Sequence, residues 1–136
     1  MFLKSQVSVE YIMIIGFVLV TIVPMVLIYY NYSNETRESV ATSQALNIAR
    51  KIADSAESVY YLGRPSQITL RMNFPENIVS TNLSNREVLF KISTSNGVTD
   101  VVETSSVDMN GTLPVKSGIY TLTIRAEEGF VQIISN

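Results

Sequence analysis

The chain has 136 residues and a mass of 15.1 kDa, which is enough for one ordinary domain and too little for two. It contains no His and no Cys, so imidazole or thiolate metal centres, thiol catalysis, Ser-His-Asp triads and disulfide frameworks are excluded. Charged residues make up only 16% of the chain, so part of it is expected to avoid water. The formal net charge is -2 and the sequence has no dense Lys/Arg block, so no nucleic acid partner is expected.

The first predicted element is an apolar helix over residues 11–30, which carry no charged side chain. At ~1.5 Å per residue this segment crosses a hydrocarbon core about 30 Å thick. It is longer than a secretory signal core and no small-residue cleavage site follows it, so we expect it to stay in the mature protein. Lys4 is the one cation ahead of it and favours a cytoplasmic N-terminus with the remainder outside. Pro24 is expected to bend the helix or melt it locally.

Glu10 stands at the start of the apolar run, where a carboxylate is costly unless it reaches the membrane interface or gains a partner. It belongs to the sequence Gln6-Val7-Ser8-Val9-Glu10-Tyr11. Directly ahead of an apolar helix, this sequence resembles the class III signal peptide of archaeal type IV pilin-like proteins, whose motif is Q-x-S-x-E-Y.

The resemblance implies that a prepilin peptidase removes a leader of residues 1–5 by cutting between Ser5 and Gln6, with Lys4 just ahead of the cut. Ser5 departs from the Gly with which such leaders most often end. The resemblance also implies an assembly role for Glu10, because the new N-terminal ammonium of one subunit can neutralise Glu10 of a neighbour inside an apolar filament core. Such an ion pair is expected to set subunit register more than affinity.

A second, amphipathic helical stretch is predicted over residues 35–62, so that one helix runs through residues 6–62. Its apolar residues recur at steps of three and four, as Val40, Ala41, Ala45, Ile48, Ala49, Ile52, Ala53, Ala56, Val59 and Tyr60. The opposite face is expected to be solvated and holds Glu38, Ser43, Asn47, Arg50, Asp54, Glu57 and Ser58. Gly63 and Pro65 are expected to end the helix.

Residues 66–136 are expected to form a β-rich head domain, because alternation with period two replaces the helical spacing. Antiparallel strands in meander order are predicted at residues 68–74, 88–94, 98–104, 112–115, 119–126 and 130–134, with a hairpin at Asn96-Gly97 and a loop at residues 80–85. So small a sheet cannot bury both faces against itself, and the helical stripe is its natural cover. The predicted fold class is α+β, and a long helix followed by a β head resembles the lollipop shape of type IV pilins.

Four N-x-S/T sequons, at Asn31, Asn34, Asn82 and Asn110, are candidate N-glycosylation sites. Asn82 and Asn110 fall in predicted loops, whereas Asn31 and Asn34 lie close to the expected packed helices. Several head-domain carboxylates lack the spacing of a calcium loop and are interpreted as solvated surface: Asp100, Glu103, Asp108, Glu127 and Glu128.

These features predict a structural subunit of an archaeal type IV pilus-like adhesion filament, not an enzyme, without cofactor or metal. By resemblance its partners are further copies of itself in a helical filament, a prepilin peptidase, an assembly ATPase and a membrane platform protein. The precursor is expected in the cell membrane and the assembled subunit on the cell surface. Two alternatives stay open: an uncleaved, single-pass anchored surface protein whose β domain binds a ligand, and a minor pilin or pseudopilin.

Overall fold

The computed structural model describes residues 3–136, with side chains from Ser8 onward. One helix precedes five strands: α1 (Leu3–Leu62), β1 (Gln67–Phe74), β2 (Ile78–Thr94), β3 (Gly97–Gly111), β4 (Gly118–Ala126) and β5 (Val131–Ser135). The chain divides into two compact units, which we call the first unit, up to Arg37, and the second unit, Glu38–Asn136. The expected α+β class, a long N-terminal helix and a β-sheet, is confirmed.

The first unit is helical, and the helix is unbroken at Pro24, where the sequence suggested weakness. Pro24 lies inside α1, and the helix also continues through the Asn- and Ser-rich residues 31–34. Local melting at Pro24 is therefore absent, while a bend there stays a prediction. Thr21 donates its hydroxyl hydrogen bond to the carbonyl oxygen of Phe17 at 2.9 Å, so its polar group is satisfied within the helix.

In the second unit, the helical residues from Glu38 to Leu62 cover one face of the sheet. The expected stripe is buried, except that Val40 is 49% exposed and Tyr60 is only partly buried. Ala45, Ala49 and Ala56 are fully buried, and their small side chains allow the helix to lie close to the strands. The helix ends as expected, since Gly63 takes a φ of 75° and donates its N–H to the carbonyl oxygen of Tyr60 at 3.0 Å.

The sheet has the order β1-β4-β5-β3-β2, so the expected meander order is wrong. β1 pairs with β4 rather than with β2, and β5 pairs with β4 along one edge and with β3 along the other, which joins the β4–β5 hairpin to the β2–β3 hairpin. The pairing of β3 with β5 is parallel and covers Met109–Gly111, whereas the other pairs are antiparallel. The physical reason is that Val131 and Ile133 of β5 are buried apolar side chains, and an interior position in the sheet keeps them in the core while the backbone groups on both edges of the strand are paired.

β2 and β3 are much longer than the sequence indicated. The predicted loop at residues 80–85 lies inside β2, which has 17 residues, and β3 has 15. The predicted strand at residues 112–115 is instead irregular, although Leu113 is buried and its carbonyl oxygen accepts a hydrogen bond from Thr81 Oγ1 at 3.0 Å. Ser84 and Asn85 pair with Asn110 and Met109 of β3, and this long-range pairing outweighs the low strand propensity of Ser and Asn.

The core between helix and sheet contains an aromatic cluster. The ring of Phe74 lies 6.0 Å from that of Phe90 and 5.7 Å from that of Tyr120, with the second pair edge to face. Phe90 is completely buried and Phe74 is 1% exposed. These rings join the end of β1 to the middle of β2, two strands that do not pair with each other.

Candidate functional site

The apolar segment of the first unit is an exposed hydrophobic surface with no protein partner among the described residues. Its large hydrophobic side chains between Val9 and Tyr32 are all exposed, from 41% at Ile15 to 75% at Phe17. Soluble monomers rarely expose more than a few hundred Å² of contiguous apolar surface. α1 is long and apolar enough to cross a membrane by length and composition. This segment therefore needs lipid or other apolar helices around it.

Glu10 lies at the start of this exposed apolar segment and is itself exposed. Any lipid or protein that surrounds Val9 and Tyr11 must therefore also accommodate the Glu10 carboxylate. The three processing residues, Lys4, Ser5 and Gln6, have side chains outside the described residues, so the proposed cleavage site stays a prediction.

Glu57 of the helix contacts β3 where the pairing of β2 with β3 is interrupted by a bulge, which the sequence did not predict. Asn85 of β2 pairs with Met109, whereas Glu87 pairs with Thr104, so residues 105–108 of β3 bulge out opposite Arg86 alone. A bulge removes backbone groups from the strand ladder and leaves them in need of partners.

The Glu57 carboxylate supplies that partner. Its Oε1 atom accepts the backbone N–H of Ser106 at 2.8 Å and the hydroxyl of Ser105 at 3.2 Å. The Ser105 oxygen in turn accepts the N–H of Val107 at 3.3 Å. The backbone N–H of Ser106, more than any other group, holds the pKa of Glu57 below its ordinary value, while partial burial opposes the shift.

A second carboxylate of the helix binds the turn of the β2–β3 hairpin. Glu38 accepts the backbone N–H of Ser95 at 2.7 Å through Oε1 and the Ser95 hydroxyl at 3.1 Å through Oε2. The turn itself consists of Ser95 and Asn96, because Thr94 pairs with Gly97. The expectation of a fully solvated polar face is therefore wrong for Glu38 and Glu57, which hold β3 at both ends.

The head-domain carboxylates are mostly paired with arginines. Asp108 lies 3.1 Å from Arg86, measured from Oδ1 to Nε. Arg64 contacts both Glu127 at 2.9 Å and Glu128 at 3.7 Å. Glu103 lies 3.8 Å from Arg50 of the helix. Within residues 3–136 no group of three acidic side chains is placed to hold a metal ion.

An open cleft of about 580 Å³ lies between the helix and the end of β1. Its charged lining consists of Arg50, Lys51 and Asp54 on the helix and Arg71 on the strand. Positive side chains therefore outnumber the one carboxylate, although Arg50 also lies 3.8 Å from Glu103.

The sequons separate into two pairs. Asn31 and Asn34 are exposed on the helix of the first unit, directly after the apolar segment. Asn82 and Asn110 are exposed on the second unit, but in strands β2 and β3 rather than in the predicted loops. The predicted loops at Asn82 and Asn110 are therefore wrong, because both residues belong to strands, although both are exposed.

The chain matches no protein family model, no curated protein and no solved structure. Its likeness to archaeal type IV pilin-like proteins therefore remains a resemblance carried by the motif from Gln6 to Tyr11 and by the order of helix and sheet. Sequence reasoning missed Glu57 and its serine partners, since only long-range strand pairing creates the bulge that they occupy.

Proposed function

We propose that this protein is a structural subunit of an archaeal type IV pilus-like surface filament, with assembly rather than catalysis as its activity. The observation that carries the proposal is the exposed apolar helix, which begins at Glu10 within the Q-x-S-x-E-Y motif. Residues 11–30 would hold the precursor in the membrane with the second unit outside. After a cut before Gln6, the same residues would pack against their counterparts in neighbouring subunits.

Glu10 gives this assembly its register. In the membrane, a carboxylate near the helix start can reach the interface, but in an apolar filament core it needs a positive partner. The free ammonium at Gln6 of an adjacent subunit supplies that charge only after cleavage. Removing one member of a buried ion pair costs about 3–5 kcal/mol, so misaligned subunits are strongly disfavoured.

One rival function is an uncleaved surface protein that stays anchored through α1 and binds a ligand on its second unit. The open cleft beside Lys51 and Arg71 is the observation in its favour. A minor pilin that starts or tips a filament is a variant of the main proposal, and it would be present at few copies per filament.

Substitution of Glu10 separates these functions. We expect Glu10→Ala to insert into membranes normally but to lower the yield of sheared filaments at least about tenfold, because the buried ammonium loses its partner. Glu35→Ala is the matched control, since Glu35 is an exposed carboxylate on the same helix beyond the apolar segment. Normal filaments from Glu10→Ala would refute the role given to Glu10, and wild-type protein found only in membranes would favour the anchored alternative.

A further inference from the structure

Two of the four sequons are neighbours on one surface of the second unit. Val107 and Met109 of β3 are buried under the helix, whereas Asp108 and Asn110, which alternate with them, are exposed. Successive side chains of a strand point to opposite faces, so Asn110 lies on the sheet face turned away from the helix. We call this the outer face.

The pairing of β2 with β3 brings the second sequon to the same place. Ser84 is the Cα partner of Asn110 and is exposed, so it also lies on the outer face, and Asn82 lies there two residues along β2. The hydrogen bond from Thr81 Oγ1 to the carbonyl oxygen of Leu113 shows that the strands remain adjacent beyond Gly111.

The two sequons therefore run antiparallel beside each other. The hydroxyl residue of the first, Ser84, is the Cα partner of the acceptor Asn110 of the second, so Asn82, two residues before Ser84, is a diagonal neighbour of Asn110. Diagonal neighbours on one face of an antiparallel pair are about 7–8 Å apart, and both amides point into water.

The other two sequons have a different environment in the proposed precursor. At ~1.5 Å per residue, Asn31 and Asn34 lie only about 2 and 6 Å beyond Tyr30 along the helix. Headgroup layers take up roughly 5–7 Å on each side of the hydrocarbon core. Both asparagines therefore sit at headgroup level, where a transferase working in water does not reach them.

We propose that Asn82 and Asn110 carry N-linked glycans and that Asn31 and Asn34 carry none. The co-reactant is an oligosaccharide linked through a phosphate to a lipid, delivered by a membrane transferase. The side-chain amide nitrogen attacks C1 of the first sugar, the bond from C1 to the phosphate oxygen breaks, the amide loses one proton and the lipid phosphate leaves with the electron pair.

Sugars at both positions would cover the outer face beside Arg86 and Asp108. This face then meets water rather than a neighbouring subunit, and protein contacts are left to the rest of the surface. The inference rests on the external placement of the second unit in the proposed function.

Glycopeptide mass spectrometry on the full-length protein purified from its native host tests the inference. We expect glycans on Asn82 and Asn110 of the wild-type chain, loss of one glycan from each of Asn82→Gln and Asn110→Gln, and unmodified Asn31 and Asn34. A glycan on Asn31 or Asn34, or an unmodified Asn82 or Asn110, would overturn the assignment.

A control variant separates failure of this inference from failure of the proposed function. Val98→Thr creates a sequon at Asn96 in the exposed hairpin turn, and Val98 is 58% exposed, so the change is tolerated. A glycan on Asn96 with Asn82 and Asn110 unmodified would overturn the inference alone. If Asn96 is also unmodified, the host attaches no N-glycan to this chain and the inference is again overturned, whereas the proposed function is decided separately by whether sheared filaments contain a chain that begins at Gln6.

Discussion

The contact between Glu57 and the bulge in β3 gives a quantitative prediction for Glu57→Gln. The carboxylate accepts a backbone N–H at 2.8 Å and a hydroxyl at 3.2 Å. A glutamine oxygen still accepts a hydrogen bond but without the charge, and hydrogen bonds to charged groups contribute roughly 1 kcal/mol more than neutral ones. Because Glu57 is partly open to solvent, we expect a loss of about 1 kcal/mol at pH 7, or some 4–8 °C in the unfolding midpoint of a unit of about 100 residues.

The pH dependence provides the sharper test. The pKa of Glu57 is lower in the folded chain than the ordinary value of about 4.3, so the unfolded chain binds the proton more tightly. The stabilisation is complete above that ordinary value and is lost as the pH falls through the lower, folded pKa. The difference between wild type and Glu57→Gln should therefore shrink towards zero in acid.

Thermal unfolding of the full-length protein in detergent, followed by near-ultraviolet circular dichroism from pH 7 to pH 3, measures this difference. Asp54→Asn is the matched control, because Asp54 is an exposed carboxylate on the same helix, and we expect a change within about 0.5 kcal/mol. A difference between wild type and Glu57→Gln that stays constant down to pH 3, or is absent at pH 7, would refute the role assigned to the carboxylate.

Two further substitutions probe the sheet. Phe90→Ala removes a completely buried ring that lies 6.0 Å from the ring of Phe74, and it should lower the free energy of unfolding in urea by about 3–5 kcal/mol. Val102→Ala is the control, because Val102 is 46% exposed and its truncation should cost far less. Equal losses of unfolding free energy in the two variants would contradict the assigned core. Gly111→Ala should destabilise the second unit by about 1–3 kcal/mol, measured as a lower thermal midpoint. The reason is that φ at Gly111 is 152° and an added Cβ would meet the carbonyl oxygen of Ile133. An unchanged midpoint would show that β3 and β5 do not approach so closely.

Local patterns predicted the helix and the hairpins well. Spacing of three and four residues identified the buried stripe, and Gly63 marked the end of the helix at Leu62. The last two predicted strands, at residues 119–126 and 130–134, correspond to β4 and β5, so the turn between them was also placed correctly. These features depend on residues close in sequence, where periodicity and turn chemistry carry the information.

Features set by distant residues were not predictable from the sequence alone. The polar residues 80–85 read as a loop, yet they extend β2 because β3 and Leu113 supply hydrogen bonds from far along the chain. The predicted strand order was wrong for the same reason, since nothing local shows that β1 pairs with β4 or that β5 pairs with β3 as well as with β4. The role of Glu57 depends on the bulge in β3, and its spacing alone resembled that of any solvated helix face.

The central claim is that the precursor is cut before Gln6 and assembled into a filament, and the N-terminus of the native protein tests it most directly. Surface filaments would be sheared from cells and separated from membranes, and the intact mass and N-terminal peptide would be measured in both fractions by mass spectrometry. We predict a chain in the sheared fraction that begins at Gln6 with a free amino group; a cyclised Gln6 would agree with the cut but would remove the ammonium proposed as the partner of Glu10. A chain that begins at Met1 and occurs only in the membrane fraction would contradict it.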